Sequence, residues 1–279
     1  MMKISFLCRE FERTQMLVRW ISVFVVLVII SWVRLTTMFS SEIIDVFDIN
    51  VWDSIFAVIN HPNLLMFAYV PIFLVLMSDL LFSSTIEHEY VNLLRLTNRN
   101  RWFAHKISLL AFNVLLYMLL LVAIPTIVSM ILGRSVGWDW SAYSKFIFNH
   151  NYIMAHVPEN FSNVAPFWVV LLYGGLLSLT FMALGVISIC FVLWVENGYG
   201  GSVITYVLLL CNHILMSNIS LSKYMFLNNL SPEAFSRNES SISIYIAFLG
   251  ISILLITSLL CGVLVCKKRD FLSKEHTRY

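Results

Sequence analysis

The stretch FSSTIEHEYVNLLRLTNRNRWFAHK, residues 82–106, is a charged interval between two long apolar runs. It carries Glu87, Glu89, Arg95, Arg99, Arg101 and Lys106. An Arg or Lys at the centre of a membrane helix costs about 2.5–3.5 kcal/mol on insertion scales, so the interval belongs outside the hydrocarbon. The runs on either side of it must then be separate helices. Composition supports this: 59% of the 279 residues are hydrophobic, 12% are charged and the mean hydropathy is +0.82. Soluble domains carry about twice that share of charge. The chain reads as an integral membrane protein.

About 20 apolar residues are needed to cross about 30 Å of hydrocarbon. On that length the chain divides into six spans, at 17–38, 63–82, 107–132, 166–195, 202–219 and 242–266, forming one all-α transmembrane domain. The runs are too long for barrel strands, which alternate over about ten residues. Ahead of the first span, Ile4, Leu7 and Phe11 share a helical face, which predicts an amphipathic N-terminal helix lying in the interface. The span itself exceeds a signal-peptide core and is expected to be retained.

Positive loops stay cytoplasmic. With the N-terminus inside, thirteen Lys and Arg fall on the cytoplasmic side and five (Arg34, Arg134, Lys145, Lys223, Arg237) on the outer side, so both termini are predicted inside. The first outer connection agrees, with Glu42, Asp45, Asp48 and Asp53 and no basic residue. All five cysteines fall in spans or on the cytoplasmic side, so disulfides are not expected. No Cys or His pair has metal-ligand spacing, and no metal or cofactor site is expected on this chain.

Polar groups within spans are expensive. Arg34 stands near the outer end of the first span, where its stem can snorkel, and Asp79 near the inner end of the second. Asn212 and His213 fall in the middle of the fifth span and Asn113 one turn into the third. These three are candidates for interhelical hydrogen bonding or for lining a substrate path. Pro71 and Pro125 each delete a backbone donor and predict kinks. Gly174 and Gly175 permit close helix approach or bending. Residues 133–163 form a long aromatic outer connection, including Trp138, Trp140 and Tyr143, expected to rest on the outer leaflet or to act as a contacting cap.

Within 82–106, Ser84 stands three residues before Glu87, a capping-box spacing that starts a helix-compatible stretch to about Leu96. Val91 and Leu94 can share its apolar face, and Thr97, Asn98 and Asn100 suit a turn before the third span. The expectation is a short cytoplasmic surface helix able to dock a soluble partner.

Glu87, Glu89, Tyr90, Leu93, Leu94, Arg99, Arg101 and Lys106 stand in an order that resembles the permease subunits of bacterial type-2 ABC exporters. The likeness extends to the N-terminal helix, the six spans, the cytoplasmic termini and an apolar, re-entrant-like outer segment at 220–241. It implies a coupling helix, with Glu87, Glu89, Tyr90, Arg95, Arg99 and Arg101 at the ATPase contact. The short turn at 196–201 would be a second, weaker contact. It further implies a second permease copy or homologue, and alternating access in the cytoplasmic membrane.

The chain has no G-x-x-x-x-G-K-[ST] phosphate loop, so it is not itself an ATPase. ATP and Mg would be held by separate cytoplasmic subunits. The aromatic outer segment fits an amphipathic cargo, such as a secreted or antimicrobial peptide or a lipid, and membrane lipid is the expected surrounding; nothing points to nucleic acid. The alternatives are a secondary transporter or channel without ATPase partners, and an intramembrane hydrolase. For the hydrolase, Glu87-His88-Glu89 is the only dense acid-histidine cluster and H-E-x-x-H is absent.

Overall fold

The computed structural model describes residues 14–39, 49–59, 61–82, 99–144, 163–195, 198–216 and 242–268. Among them the secondary structure is helical, apart from one parallel bridge between Asn50 and Ser135. The helices are α1 (Thr14–Phe39), α2 (Val51–Ile59), α3 (Pro62–Leu64), a π turn (Leu65–Tyr69), α4 (Val70–Phe82), α5 (Arg99–Ile131), α6 (Pro166–Val195), α7 (Gly198–Met216) and α8 (Ile242–Lys268).

Four helices, at Val18–Met38, Arg99–Ile131, Pro166–Val195 and Phe248–Lys267, are long and apolar enough to cross a membrane. Two shorter apolar stretches, Leu65–Ser78 and Tyr199–Asn212, correspond to the second and fifth expected spans. Rows such as Ile21, Val25 and Ile29 on α1, and Leu249, Ile253, Ile256 and Leu260 on α8, are exposed. Apolar side chains turned outward at helical spacing suit a lipid surround. This is the architecture of a multi-pass, membrane-embedded helical protein.

The central helices are α5 and α6. α6 packs along α7 and α8, while α5 packs against α1, α2 and α6, and α7 leans on α4. Phe73 of α4, Tyr117 of α5 and Phe181 of α6 form a fully buried aromatic trio, with ring centroids 4.7–5.5 Å apart. Close approach is set by other glycines than expected. A Cβ at Gly201 would stand 2.5 Å from the Val192 backbone nitrogen, and Gly185 and Gly262 receive Leu110 and Phe103. Gly174 and Gly175 face open space instead.

Three boundaries differ from the sequence expectation. α5 begins at Arg99, two turns before 107, and takes Asn100 into the helix. Trp102, Phe103 and Lys106 are buried there, and the Lys106 Nζ lies 5.7 Å from the Trp102 ring, so aromatic packing shelters the basic turn. α7 begins at Gly198, so the glycines at 198–201 are helical rather than a turn. The third difference is α2, a helix within the connection read as an acidic outer loop.

Pro71 explains the π turn. A proline cannot donate, so a helix running through it must leave a carbonyl free. Val70 N–H reaches back five residues to the Leu65 carbonyl, which shifts the register by one and leaves the Met66 carbonyl for the missing donor. The Tyr206 hydroxyl of α7 bonds that carbonyl at 3.3 Å.

Candidate functional site

The densest polar cluster among the described residues surrounds α2. Its start is a reciprocal cap: Asn50 Oδ1 accepts the N–H groups of Trp52 (3.0 Å) and Asp53 (3.3 Å), while Asp53 Oδ2 accepts the Asn50 N–H at 2.9 Å. Val51, Asp53, Ser54, Ile55, Phe56, Ala57 and Val58 are all buried. A nine-residue helix is thus enclosed by protein.

Gly133 aims the opposing segment at it. At φ 79°, Gly133 ends α5 with paired bonds, its own N–H to the Met130 carbonyl and the Arg134 N–H to the Ser129 carbonyl. The chain then runs along α2. The Ser135 carbonyl accepts Val51 N–H at 3.1 Å, the Gly137 carbonyl accepts Trp52 Nε1 at 2.6 Å, and the Asp139 carbonyl accepts Asn50 Nδ2 at 2.8 Å. Ser144 Oγ donates to Asp53 Oδ1, and the Ser54 and Ser129 hydroxyls meet at 2.8 Å. Trp140, read as an interfacial aromatic, is buried against Phe56 and donates its Nε1 to the Val164 carbonyl at 2.7 Å, whereas Trp138 is exposed.

The far end of α2 is held by other elements. Arg34 Nε donates to the Ala57 carbonyl at 3.3 Å, and the Tyr69 hydroxyl to the Val58 carbonyl at 3.1 Å. The Tyr117 hydroxyl of α5 bonds the Tyr69 carbonyl at 2.9 Å, linking α5, the π turn and α2 in series. Arg34 thus meets the negative end of a helix rather than snorkelling to the interface. Burial raises the Asp53 carboxyl above its ordinary value, against hydrogen bonds from Ser144, the Asn50 N–H and Ser141. His61 is pushed down by burial and by the Arg34 charge.

No protein-family profile, curated protein or solved structure matches this chain.

The residues singled out from sequence fall in three places. Glu87, Glu89, Tyr90 and Arg95 lie outside the described residues, as do the expected N-terminal helix (1–13) and the outer segment 220–241. Arg99 and Arg101 open α5: Arg101 is exposed, and Arg99 Nη1 donates to the Lys267 carbonyl at 2.8 Å, fastening α5 to the end of α8. The Cys266 thiol bonds the Arg99 carbonyl across the same junction at 3.6 Å. Arg99 therefore has a structural tie in addition to the role expected of it.

Asn113 is fully buried on α5, its Nδ2 bonded to the Leu109 carbonyl at 2.7 Å and its Oδ1 without a hydrogen bond. Asn212 and His213 belong to α7, which packs on α6 and α4 rather than along α5. Cys190, Cys211, Cys261 and Cys266 are free thiols, and among the described residues no three His, Cys, Asp or Glu side chains gather as a metal site.

Sequence reading missed Asp53 and its shell. The signal was present: Asn50 three residues before Asp53 is a capping spacing, and VWDSIFAVI follows it.

Proposed function

We propose that this chain is the transmembrane permease subunit of an ATP-driven type-2 ABC exporter in a bacterial cytoplasmic membrane. It would have six spans and cytoplasmic termini, and would work with a second permease copy and with cytoplasmic ATPase subunits. The observation that carries this reading is the order of Glu87, Glu89, Tyr90, Arg95, Arg99 and Arg101 in the interval joining α4 to α5. Four long apolar helices with outward apolar rows support it.

ATP and Mg belong to the partner, since this chain has no phosphate loop. The chain's part is mechanical. A displacement delivered to the 82–106 interval acts on α5 directly, and the Arg99 bond to the Lys267 carbonyl passes it to α8. The cargo class is an amphipathic peptide or lipid.

Charge reversal tests the coupling interval. Glu87→Lys or Glu89→Lys should leave membrane insertion and thermal stability intact while abolishing ATPase capture and transport. Variants that still bind an ATPase and transport normally would sink the assignment.

A transporter working without ATPase partners is the second reading. The buried Asp53 carboxyl favours it, because an enclosed acid is a common proton-coupling group. Substrate uptake by the chain alone, driven by a pH gradient and lost in Asp53→Asn, would select it.

A further inference from the structure

Arg34 uses only one of its donor groups within the protein. Its Nε is taken by the Ala57 carbonyl at 3.3 Å, and its two Nη groups have no hydrogen bond or ion pair among the described residues. Two further donors stand in the same condition. The Leu64 N–H donates to His61 Nδ1 at 3.4 Å, and burial and the Arg34 charge favour the neutral ring, so its proton sits on Nε2. That Nε2–H and the Tyr143 hydroxyl also lack a partner among the described residues. All three side chains are half-buried, and none of these donor atoms is closed off.

α2 brings the three together. Tyr143 precedes Ser144, whose hydroxyl bonds Asp53, and Ala57, one turn beyond Asp53 on the same helical face, takes Arg34. His61 follows four residues later, just past the end of the helix. The charges agree with this placement: the rise that burial and Asp53 impose on the Tyr143 phenol is partly offset by Arg34. Asp53 does not neutralise the guanidinium, because it is buried and its oxygens are bonded by Ser144 and the Asn50 N–H. The Ala57 and Val58 carbonyls are covered by Arg34 and Tyr69, so this end of α2 presents donors.

Beside the cluster lies the lipid-facing side of α1. Val26, Ile29 and Val33 are exposed along it, and Arg34 borders that row about 7 Å before the helix end at Phe39. A lipid whose acyl chain follows the row carries its phosphate to the level of Arg34. A guanidinium matches two phosphate oxygens with parallel N–H bonds.

We propose that Arg34, His61 and Tyr143 form a phosphate site for a phospholipid headgroup in the leaflet at the α2 end of the bundle. The Arg34 Nη groups take the charged oxygens, and the Tyr143 hydroxyl and His61 Nε2–H complete the shell. The site requires a membrane surround and neither of the two transport readings.

Native mass spectrometry of the full-length chain in detergent, titrated with phosphatidylglycerol, tests the site. The expected result is retained phosphatidylglycerol, with no retention of diacylglycerol, which lacks the phosphate. Arg34→Gln weakens retention about tenfold and Tyr143→Phe about threefold. Tyr143→Phe does so with an unchanged melt, since that hydroxyl bonds nothing among the described residues. Tyr69→Phe, which removes the Val58 bond at the same end of α2, leaves retention unchanged. Excess inorganic phosphate identifies the source: lipid that stays bound supports a headgroup site, and lipid displaced by free phosphate overturns it. Equal retention of diacylglycerol overturns the proposal, as does unchanged retention in either Arg34→Gln or Tyr143→Phe. A loss in Tyr69→Phe as large as that in Arg34→Gln overturns it too, because the effect would then be structural.

Discussion

The two ends of this bundle place their polar residues differently in the sequence. At the α2 end, Asn50, Asp53, Ser54, Ser129 and Ser144 are consumed by one another and by backbone, and the acid is buried. At the Arg99 end, charge is concentrated in a connecting interval, and the ties described there include the Arg99 bond to the Lys267 carbonyl and the Cys266 thiol bond to the Arg99 carbonyl. A polar group spent on its own chain holds a shape. A run of charge placed between two helix ends is what the proposed coupling role requires.

The contrast can be broken first at the centre, on which both ends depend. Phe181→Ala removes one ring of the trio from a site with no exposure, and should cost about 3–5 kcal/mol. A thermal melt in detergent should show a large loss, with both ends disordering together. A small shift would mean that the ends are independently stable.

A smaller, local effect is expected at Asp53. Asp53→Leu strands the Ser144 hydroxyl and the Asn50 N–H, a loss of about 1–3 kcal/mol, while Asp53→Asn keeps an acceptor and costs less. The pH dependence has a definite sign. Because burial raises the Asp53 carboxyl, the fold favours its uncharged form. That contribution is complete below the ordinary value of 3.8 and is lost as pH rises through the raised value. Melts recorded across pH should therefore fall off less steeply in Asp53→Asn.

The smallest effect belongs to Arg99. Its guanidinium is only partly buried, so Arg99→Gln should cost about 1 kcal/mol or less through the lost bond to the Lys267 carbonyl. A melt as damaged as that of Asp53→Leu would place Arg99 among the main supports of the fold.

The long helices were legible because hydropathy over 20 residues is a strong signal; Pro166–Val195 coincides with its expected span. α2 was not, because nine residues fall below any length that spans and Asp53 interrupts the apolar run. Its burial depends on residues 129–144, about eighty positions away, which no local pattern announces. The start of α5 was hidden for a related reason. Arg99, Arg101 and Lys106 lower the hydropathy of its first two turns, while the burial of Trp102 and Phe103 comes from packing. Pro71 was read as a kink, and the register shift it produces depends on Tyr206 of α7, a contact that sequence spacing does not show.

The central claim is that the charge between α4 and α5 serves an ATPase. Affinity purification of the full-length chain from its native membrane, in mild detergent with ATP and Mg present, tests this directly. The account predicts a stoichiometric partner carrying a G-x-x-x-x-G-K-[ST] loop, captured by the intact chain and lost from Glu87→Lys. A chain that purifies without such a partner and still moves substrate in vesicles would contradict it.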